Sequence, residues 1–164
     1  MSDAISVLNL TLTSGTLNGT GDLSIAANGK LNWSGGTMSG TGKVIIPATA
    51  QLNISGGSQK FFRKRTIDNH GTTTWTGTGD FRSGDGAVFN NLGLFDVQND
   101  DIFTDNLNGG AVFNNSGTFR KTVATGLTNM NIFFNNTGVI DILTGTVSFK
   151  RRRQWTSSVV NKLV

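Results

Sequence analysis

Three segments near the amino terminus repeat one pattern: LTLTSGT at residues 10–16, LNWSGGT at residues 31–37 and LNISGGS at residues 52–58. Successive copies lie 21 residues apart, and the segments between them keep the same phase, because GTGDL at residues 19–23 matches GTGKV at residues 40–44. Self-similarity at a fixed period of this length is typical of repeat architectures. The fold is therefore expected to be built from copies of one small structural unit.

A second family of matches covers the later part of the chain: FNNLG at residues 89–93, FNNSG at residues 113–117, FNNTG at residues 134–138 and the degenerate IDNHG at residues 67–71. Their successive intervals are 22, 24 and 21 residues. Two families of matches that share nearly one period indicate a single architecture along most of the chain.

Apolar residues alternate with polar ones inside each repeat, as in Leu8-Leu10-Leu12 and Leu31-Trp33. A period of two is the pattern of a β-strand with one buried face. The alternating stretches are short, and the corners between them consist of Ser-Gly, Gly-Gly or Asn-Asn-x-Gly, whose residues tolerate the backbone angles of sharp turns. Each repeat is therefore interpreted as two or three short strands joined by corners.

The period decides between the known repeat folds. A leucine-rich repeat needs leucine and asparagine spacings that this sequence lacks, and a propeller blade needs about twice the period. What remains is a coil that stacks on the next coil, with backbones paired about 4.8 Å apart. The predicted fold is all-β, a parallel β-helix (β-solenoid) of about seven coils, on the order of 35 Å long, with a period of 21–24 residues.

Stacking also predicts which side chains lie over one another. Asp96, Arg120 and Asp141 each follow the phenylalanine of an Asn-Asn motif by seven residues, so they should form an outward column of alternating charge. The first residues of the same motif should form a buried column: Phe89, Phe113, Phe134 and, in the degenerate copy, Ile67. Burial of each of these side chains is worth about 2 to 3 kcal/mol, more than an exposed ion pair.

Composition excludes several kinds of site. The chain of 164 residues has 22 Gly, one Pro, no Cys and one His, so disulfides, thiolate metal sites, cysteine nucleophiles and two-histidine metal sites are excluded. No apolar run approaches the roughly 20 residues that a membrane-spanning helix needs. The first residues lack the basic and apolar regions of a signal peptide, so an export signal would have to lie outside this sequence or have been removed.

Two phrases carry a resemblance to a known class of proteins: LNWSGGTMSGTG at residues 31–42 and FNNTGVIDI at residues 134–142. The chain resembles the solenoid segments of large bacterial adhesin-like and autotransporter-like surface proteins, over roughly residues 5–149. The resemblance implies a right-handed coil, export to a secreted or cell-surface location, and a structural or adhesive role. It implies no catalytic residues.

The expected division of the chain places the solenoid domain at residues 1–149 and a basic cap or tail at residues 150–164. The second stretch departs from the repeat, and it could cover the open edge of the last coil, form a tail, or mark where a longer array was cut. The expected partners therefore include neighbouring coils of a longer parent protein and a second copy of the chain that joins through the coil ends.

The basic residues form clusters, each beginning next to an aromatic residue. Of the 14 Lys and Arg residues, ten fall in three such clusters: Lys60, Arg63, Lys64 and Arg65; Arg120 and Lys121; Lys150, Arg151, Arg152 and Arg153. If they lie on one side of the rod, they form an anion-binding site with salt-dependent affinity. The expected ligand is an anionic polysaccharide or another anionic surface polymer, and nucleic acid is disfavoured. Alternatively, the clusters are solvated corners that keep a low-charge rod soluble.

Other polar residues are further candidates for a site. His70 is placed at the corner position of Asn91, Asn115 and Asn136 and interpreted as a turn residue. Five carboxylates are candidates for polysaccharide cleavage or a calcium loop, although a solvated turn explains them as well: Asp80, Asp85, Asp100, Asp101 and Asp105.

The expected function is a non-catalytic structural or adhesive module, with no cofactor and no metal. The alternatives are an anionic polysaccharide-binding β-helix and a polysaccharide lyase or hydrolase. Ice binding is a minor alternative, because it needs threonine ranks on adjacent coils. Thr11 and Thr13 are followed one period later by Asn32 and Ser34, which breaks such a rank.

Overall fold

A computed structural model describes residues 4–155 and 159–160, with side chains as far as residue 149. No helix occurs among these residues, which confirms the all-β prediction. The strands, in chain order, are β1 Ile5–Leu12, β2 Thr16–Leu17, β3 Leu23–Trp33, β4 Gly36–Met38, β5 Lys43–Ile46, β6 Gln51–Ile54, β7 Lys60–Arg63, β8 Thr66–Asn69, β9 Thr72–Trp75, β10 Phe81–Gly84, β11 Val88–Asn91, β12 Leu94–Val97, β13 Ile102–Leu107, β14 Val112–Asn115, β15 Thr118–Lys121, β16 Leu127–Asn136, β17 Val139–Ile142, β18 Thr146–Trp155 and β19 Val159–Val160.

Each coil contributes one strand segment to each of three faces. The first face contains β5, β8, β11 and β14, the second contains β6, β9, β12 and β15, and the third contains β4, β7, β10 and β13. The longer strands β1, β3, β16 and β18 bend from one face to the next. All of these pairings are parallel, so the chain is a β-solenoid of about seven turns, as the repeat predicts.

The register follows the repeat that opens the sequence. Leu10 pairs with Leu31, and Leu31 pairs with Leu52. Leu31 and Leu52 are buried, because equivalent inward positions in successive coils line one narrow core. The spacing of 21 residues therefore measures one coil.

The predicted phenylalanine column is confirmed. The rings of Phe89 and Phe113 stack with centroids 5.0 Å apart, and those of Phe113 and Phe134 stack at 5.1 Å. Ile67 continues the column because it pairs with Phe89. A second stack of Phe95 and Phe119, 5.7 Å apart, lies nearly perpendicular to the first, so the two columns pack edge to face.

Buried asparagines form a hydrogen-bonded column at the end of the first face. Each side-chain amide donates to the carbonyl oxygen of the next: Asn69 to Asn91 at 2.9 Å, Asn91 to Asn115 at 2.7 Å, and Asn115 to Asn136 at 2.6 Å. The same amides also donate to the main chain of the following coil, as Asn69 does to the carbonyl oxygen of Leu94. This inner asparagine ladder satisfies buried polar groups and ties each corner to the next coil.

A second ladder runs along the outside of the first face. Asn90 donates to Asp68 at 2.7 Å, Asn114 donates to Asn90 at 2.8 Å, and Asn135 donates to Asn114 at 2.9 Å. Lys43 closes its end with an ion pair to Asp68 at 3.0 Å. Both residues of the Asn-Asn motif are thus used, one inward and one outward.

Two details of the sequence interpretation are wrong. Leu8 is 56% exposed, because the register shifts between Val7 and Asn9 and interrupts the alternation of β1. His70 does not align with Asn91, since Asn91 pairs with Asn69 and His70 lies one residue further along, exposed at the corner.

The glycine of the Asn-Asn-x-Gly corner has a steric role. A Cβ on Gly117 would collide with the carbonyl oxygen of Gly93, and one on Gly138 would collide with that of Gly117. Coils therefore approach at this corner more closely than any side chain permits.

The backbone of residues 150–155 and 159–160 lies within the predicted cap or tail. Here β18 pairs with β16, and β19 pairs with β17, in parallel. The role of this stretch as a cap or tail stays a prediction. No helix in the described part of the chain is long and apolar enough to cross a membrane.

Candidate functional site

Three of the ten predicted anion-binding residues lie inside the coil. Lys60, Arg65 and Lys121 are at most 1% exposed. The ammonium group of Lys60 donates to the carbonyl oxygens of Gly56 at 3.0 Å and Gly79 at 3.3 Å. Burial lowers the pKa of Lys60, although the nearby carboxylates of Asp101 and Asp80 act in the opposite direction.

Arg65 ties several coils together from within. Its guanidinium group donates to the carbonyl oxygens of Ser39 at 2.7 Å, Gly19 at 2.9 Å and Lys43 at 3.3 Å. Burial lowers the pKa of Arg65 and outweighs the charge of Asp22, which acts in the opposite direction. The hydrogen-bonding capacity of this guanidinium is therefore directed at the main chain rather than at a surface ligand.

Lys121 occupies a third interior position. It donates to the carbonyl oxygen of Asn99 at 3.0 Å, to Asp100 at 2.6 Å and to the hydroxyl of Thr128 at 2.7 Å. A sequence signal for these buried cations exists, because Lys121 stands two residues after the buried Phe119 and strand alternation places both on the inward face.

The remaining predicted cations divide into three groups. Arg120 stacks between Asp96 and Asp141, as predicted, and its guanidinium lies 3.4 Å from the carboxylate of Asp96. The side chains of Lys150, Arg151, Arg152 and Arg153 lie outside the described residues. Arg63 and Lys64 remain, and the structure places them together on one groove.

This groove follows the corner between the third and first faces, and we call it the basic groove. Its volume is about 780 Å³. It is lined by Thr16, Asn18, Gly19, Thr20, Thr37, Ser39, Gly40, Thr41, Arg63, Lys64 and Asp85. Two cations thus face a surface of hydroxyl groups that spans several coils.

The charge of the basic groove comes mainly from Lys64. Arg63 donates to one oxygen of Asp85 at 2.6 Å, and Asn108 donates to the other at 2.7 Å. These hydrogen bonds, from Asn108 and then Arg63, lower the pKa of Asp85 and keep it ionised beside Arg63. Lys64 is exposed, has a left-handed backbone (φ 61°), and forms no salt bridge to any residue with a described side chain.

The hydroxyl lining was not predicted as part of a site. Thr20 and Thr41 belong to the repeated Gly-Thr-Gly segments, whose composition alone indicates ordinary strand or turn residues. Stacking brings both to the same groove, next to Thr16 and Thr37, which pair directly. The repeat of a hydroxyl residue at one coil position is the signal that could have identified this lining.

Carboxylates predicted as candidates lie mostly in separate ion pairs. Asp80 accepts hydrogen bonds from Arg82, with its nearest guanidinium nitrogen at 3.1 Å. Asp85 pairs with Arg63, and Asp100 pairs with Lys121. Within the described residues, no three His, Cys, Asp or Glu side chains gather into a metal-binding group.

The threonines considered for ice binding do not stack on threonines. Thr11 pairs with Asn32, and Thr74, which is the next threonine in the same column, pairs with Asn53 on one side and Asp96 on the other. This outward column of the second face therefore carries hydroxyl, amide and charged groups in place of a rank of threonines.

Comparison of the chain with protein-family models, curated proteins and solved structures gave no match.

Proposed function

We propose that the chain is a non-catalytic structural module, a stiff rod within a secreted or cell-surface bacterial protein. The observation that supports this proposal is the uninterrupted interior. Buried side chains run from Leu23 on the second coil to Ile140 near the last. Aromatic and asparagine columns join consecutive coils throughout the later half.

Such an interior suits a module that holds other parts of a protein at a distance. Coils of a solenoid contact mainly their neighbours, so length and stiffness come from side chains that bridge consecutive coils. The ladders of Asn69 to Asn136 and of Asp68 to Asn135 bridge the later coils, and Arg65 bridges the earlier ones.

The surface location has a direct test. Fab fragments raised against the purified solenoid should label intact cells of the source bacterium, or its culture medium should contain the protein. A parallel sample of permeabilised cells controls for epitope access. Labelling that appears only after permeabilisation, with no protein in the medium, would contradict a secreted or surface role.

A second candidate function is binding of an anionic polysaccharide, which the basic groove favours. Lys64 supplies an uncompensated positive charge, and Arg63 lies beside it in an orientation fixed by Asp85. The hydroxyls of Thr37, Ser39 and the other lining residues can exchange hydrogen bonds with sugar hydroxyls. An extended polymer would lie along the groove, across the stacked coils.

This second function can be tested with heparin and polygalacturonate as probes. Lys64→Asn removes the charge and keeps a residue type that tolerates a left-handed backbone. We expect binding to the probes to weaken several-fold in this variant and its salt dependence to become less steep. Lys30→Asn is the matched control, because Lys30 is exposed on the second face, outside the groove. Equal binding by the wild type and both variants would refute the candidate.

A further inference from the structure

A second groove lies at the corner between the second and third faces, on the other side of the second face from the asparagine ladders. It is lined by Gly77, Thr78, Gln98, Asn99, Asp100 and Asp101 and has a volume of about 510 Å³. The loops that form it follow β9 and β12, so it spans two adjacent coils. We call it the Asn99 groove.

Asn99 lines this groove and has a side-chain donor without a partner in the described structure. Asn99 is only 7% exposed, and its side-chain oxygen Oδ1 accepts a hydrogen bond from the main-chain NH of Asp101 at 3.4 Å. The main-chain oxygen of Asn99 accepts from Lys121 and from Thr128 at 2.6 Å, which holds the residue in place. The Nδ2 atom is buried and has no hydrogen-bond partner among the described residues.

Asp101, two residues further along the chain, has a side-chain acceptor without a described partner. Its Oδ1 atom accepts a hydrogen bond from the main-chain NH of Ile102 at 2.8 Å. Its Oδ2 atom is buried and lacks a partner within the described part of the chain. Burial raises the pKa of Asp101, and the charge of Asp80 raises it further, against the opposing effects of the Ile102 NH and Lys60.

Neighbouring charges are already compensated by the protein. Asp100 binds Lys121 at 2.6 Å and also accepts from the main-chain NH of Gly126 at 3.0 Å. Asp80 binds Arg82 at 3.1 Å. With Asp100 and Asp80 paired, the buried polar atoms of the lining that lack a partner among the described residues are Asn99 Nδ2 and Asp101 Oδ2, which favours a polar ligand without negative charge.

A hydroxyl group is the ligand chemistry that fits this pair. One hydroxyl can accept from an amide and donate to a carboxyl oxygen, and adjacent hydroxyls on a sugar ring can do the same separately. A buried donor or acceptor without a partner is costly, so a ligand that satisfies both atoms recovers that free energy. The groove is open and large enough for a short saccharide segment.

We propose that the Asn99 groove binds a neutral saccharide segment, and that the side chains of Asn99 and Asp101 turn toward it, so that Asn99 Nδ2 donates to ligand hydroxyls and Asp101 Oδ2 accepts from them. This site is independent of the basic groove, because it lies at a different corner and shares no lining residue with it. Binding of a neutral sugar is consequently expected to be insensitive to Lys64 and to salt.

The test uses maltohexaose, cellohexaose and mannohexaose as probes, with saturation-transfer NMR on the ligand and amide chemical-shift mapping on the protein. At least one probe should bind with a Kd on the order of 1 mM and shift the amides of Thr78 and of residues 98–101. Asn99→Asp keeps the Oδ1 acceptor and removes the donor, so affinity should fall about tenfold.

Asn106→Asp is the matched control, since Asn106 is exposed on β13, outside the groove lining, and the variant adds the same charge. Thr78→Leu is a second variant that narrows the groove at an exposed position without adding charge, and it should also weaken binding. The proposal is overturned if none of the three probes binds, or if binding by folded Asn99→Asp and Thr78→Leu equals that of the wild type.

Discussion

The first coils and the later coils share one backbone path and fill it with different chemistry. At the last inward position of the first face, the early coils place Ile25 and Ile46, both fully buried. From the next coil onward the same position holds the buried Asn69 and its ladder partners, because Ile46 pairs with Asn69. The aromatic column changes from aliphatic to aromatic residues at a similar place: Val44 pairs with Ile67, and Ile67 pairs with Phe89.

This difference shows that a coil fixes the backbone spacing without fixing which type of side chain fills an inward position. Aliphatic positions stabilise the early coils by burial alone, which is not directional. Asparagine positions add directional hydrogen bonds that hold each coil in register with the next. The boundary leaves a trace, since the Oδ1 atom of Asn69 faces the aliphatic coil and has no hydrogen-bond partner among the described residues.

The largest expected effect contrasts the two kinds of core. Phe113→Ala should lower the free energy of unfolding by about 4 kcal/mol, because Phe113 stacks between Phe89 and Phe134 and its removal leaves a cavity. Val44→Ala, at the same inward position of an early coil, should cost about 2 kcal/mol. Urea unfolding followed by circular dichroism measures both, and equal losses would contradict the contrast.

A substitution at the boundary between the aliphatic and the asparagine positions tests this contrast more closely. Ile46→Asn places an amide beside the unpartnered oxygen of Asn69, whereas Ile25→Asn places one beside Ile46. Both lose apolar burial, but only the first can extend the ladder, so it should be about 2 kcal/mol less destabilising than the second. The comparison uses the urea midpoints of the two variants. An Ile46→Asn variant that is no more stable than Ile25→Asn would contradict the expectation that an asparagine at residue 46 extends the ladder.

The smallest expected effect concerns the charged end of the outer ladder. Burial raises the pKa of Asp68, but hydrogen bonds from Asn90 and Lys43 and the charge of Lys43 outweigh it, so the net pKa is lowered. A carboxyl with a lowered folded pKa stabilises the protein above its unfolded pKa, and this contribution is lost as the pH falls through the folded value.

Asp68→Asn keeps an oxygen for Asn90 and removes the titrating group. The wild type should therefore lose more stability than this variant between pH 5 and pH 3, by less than about 1 kcal/mol, since Lys43 is half exposed. Urea midpoints at the two pH values give the difference. A variant with the same acid sensitivity as the wild type would contradict the role of Asp68.

Residue spacing was sufficient to predict the parallel coil, its register and the phenylalanine column. It was insufficient for β1, because the register shift after Val7 turns Leu8 outward. The inward positions of Lys60 and Lys121 were not predicted, because charged side chains are usually exposed, although each of the two stands two residues from a buried phenylalanine, Phe62 or Phe119. Strand alternation is therefore the better guide to burial in this fold than residue polarity.

The Asn99 groove could not be predicted from the sequence. Its donor is visible only once the loops after β9 and β12 are stacked and the partners of Asn99 are known. The basic groove was partly predictable, because Arg63 and Lys64 were identified but the hydroxyls from earlier coils were not. A site whose residues come from several coils depends on which corners lie over one another, and corner lengths vary from repeat to repeat.

The central claim is that one repeat equals one coil, and spin-label distances test it most directly. The chain has no native cysteine, so labels can be introduced at chosen positions alone. Thr11 and Asp141 lie in one outward column, joined by the successive partners Asn32, Asn53, Thr74, Asp96 and Arg120.

Labels at Thr11→Cys and Asp141→Cys are six coil steps apart, and labels at Asn32→Cys and Arg120→Cys are four steps apart. At about 4.8 Å per coil, double electron–electron resonance should give distances of about 29 Å and about 19 Å. Distances that do not grow in proportion to the number of coils, or a six-step pair no farther apart than the four-step pair, would contradict the stacked solenoid.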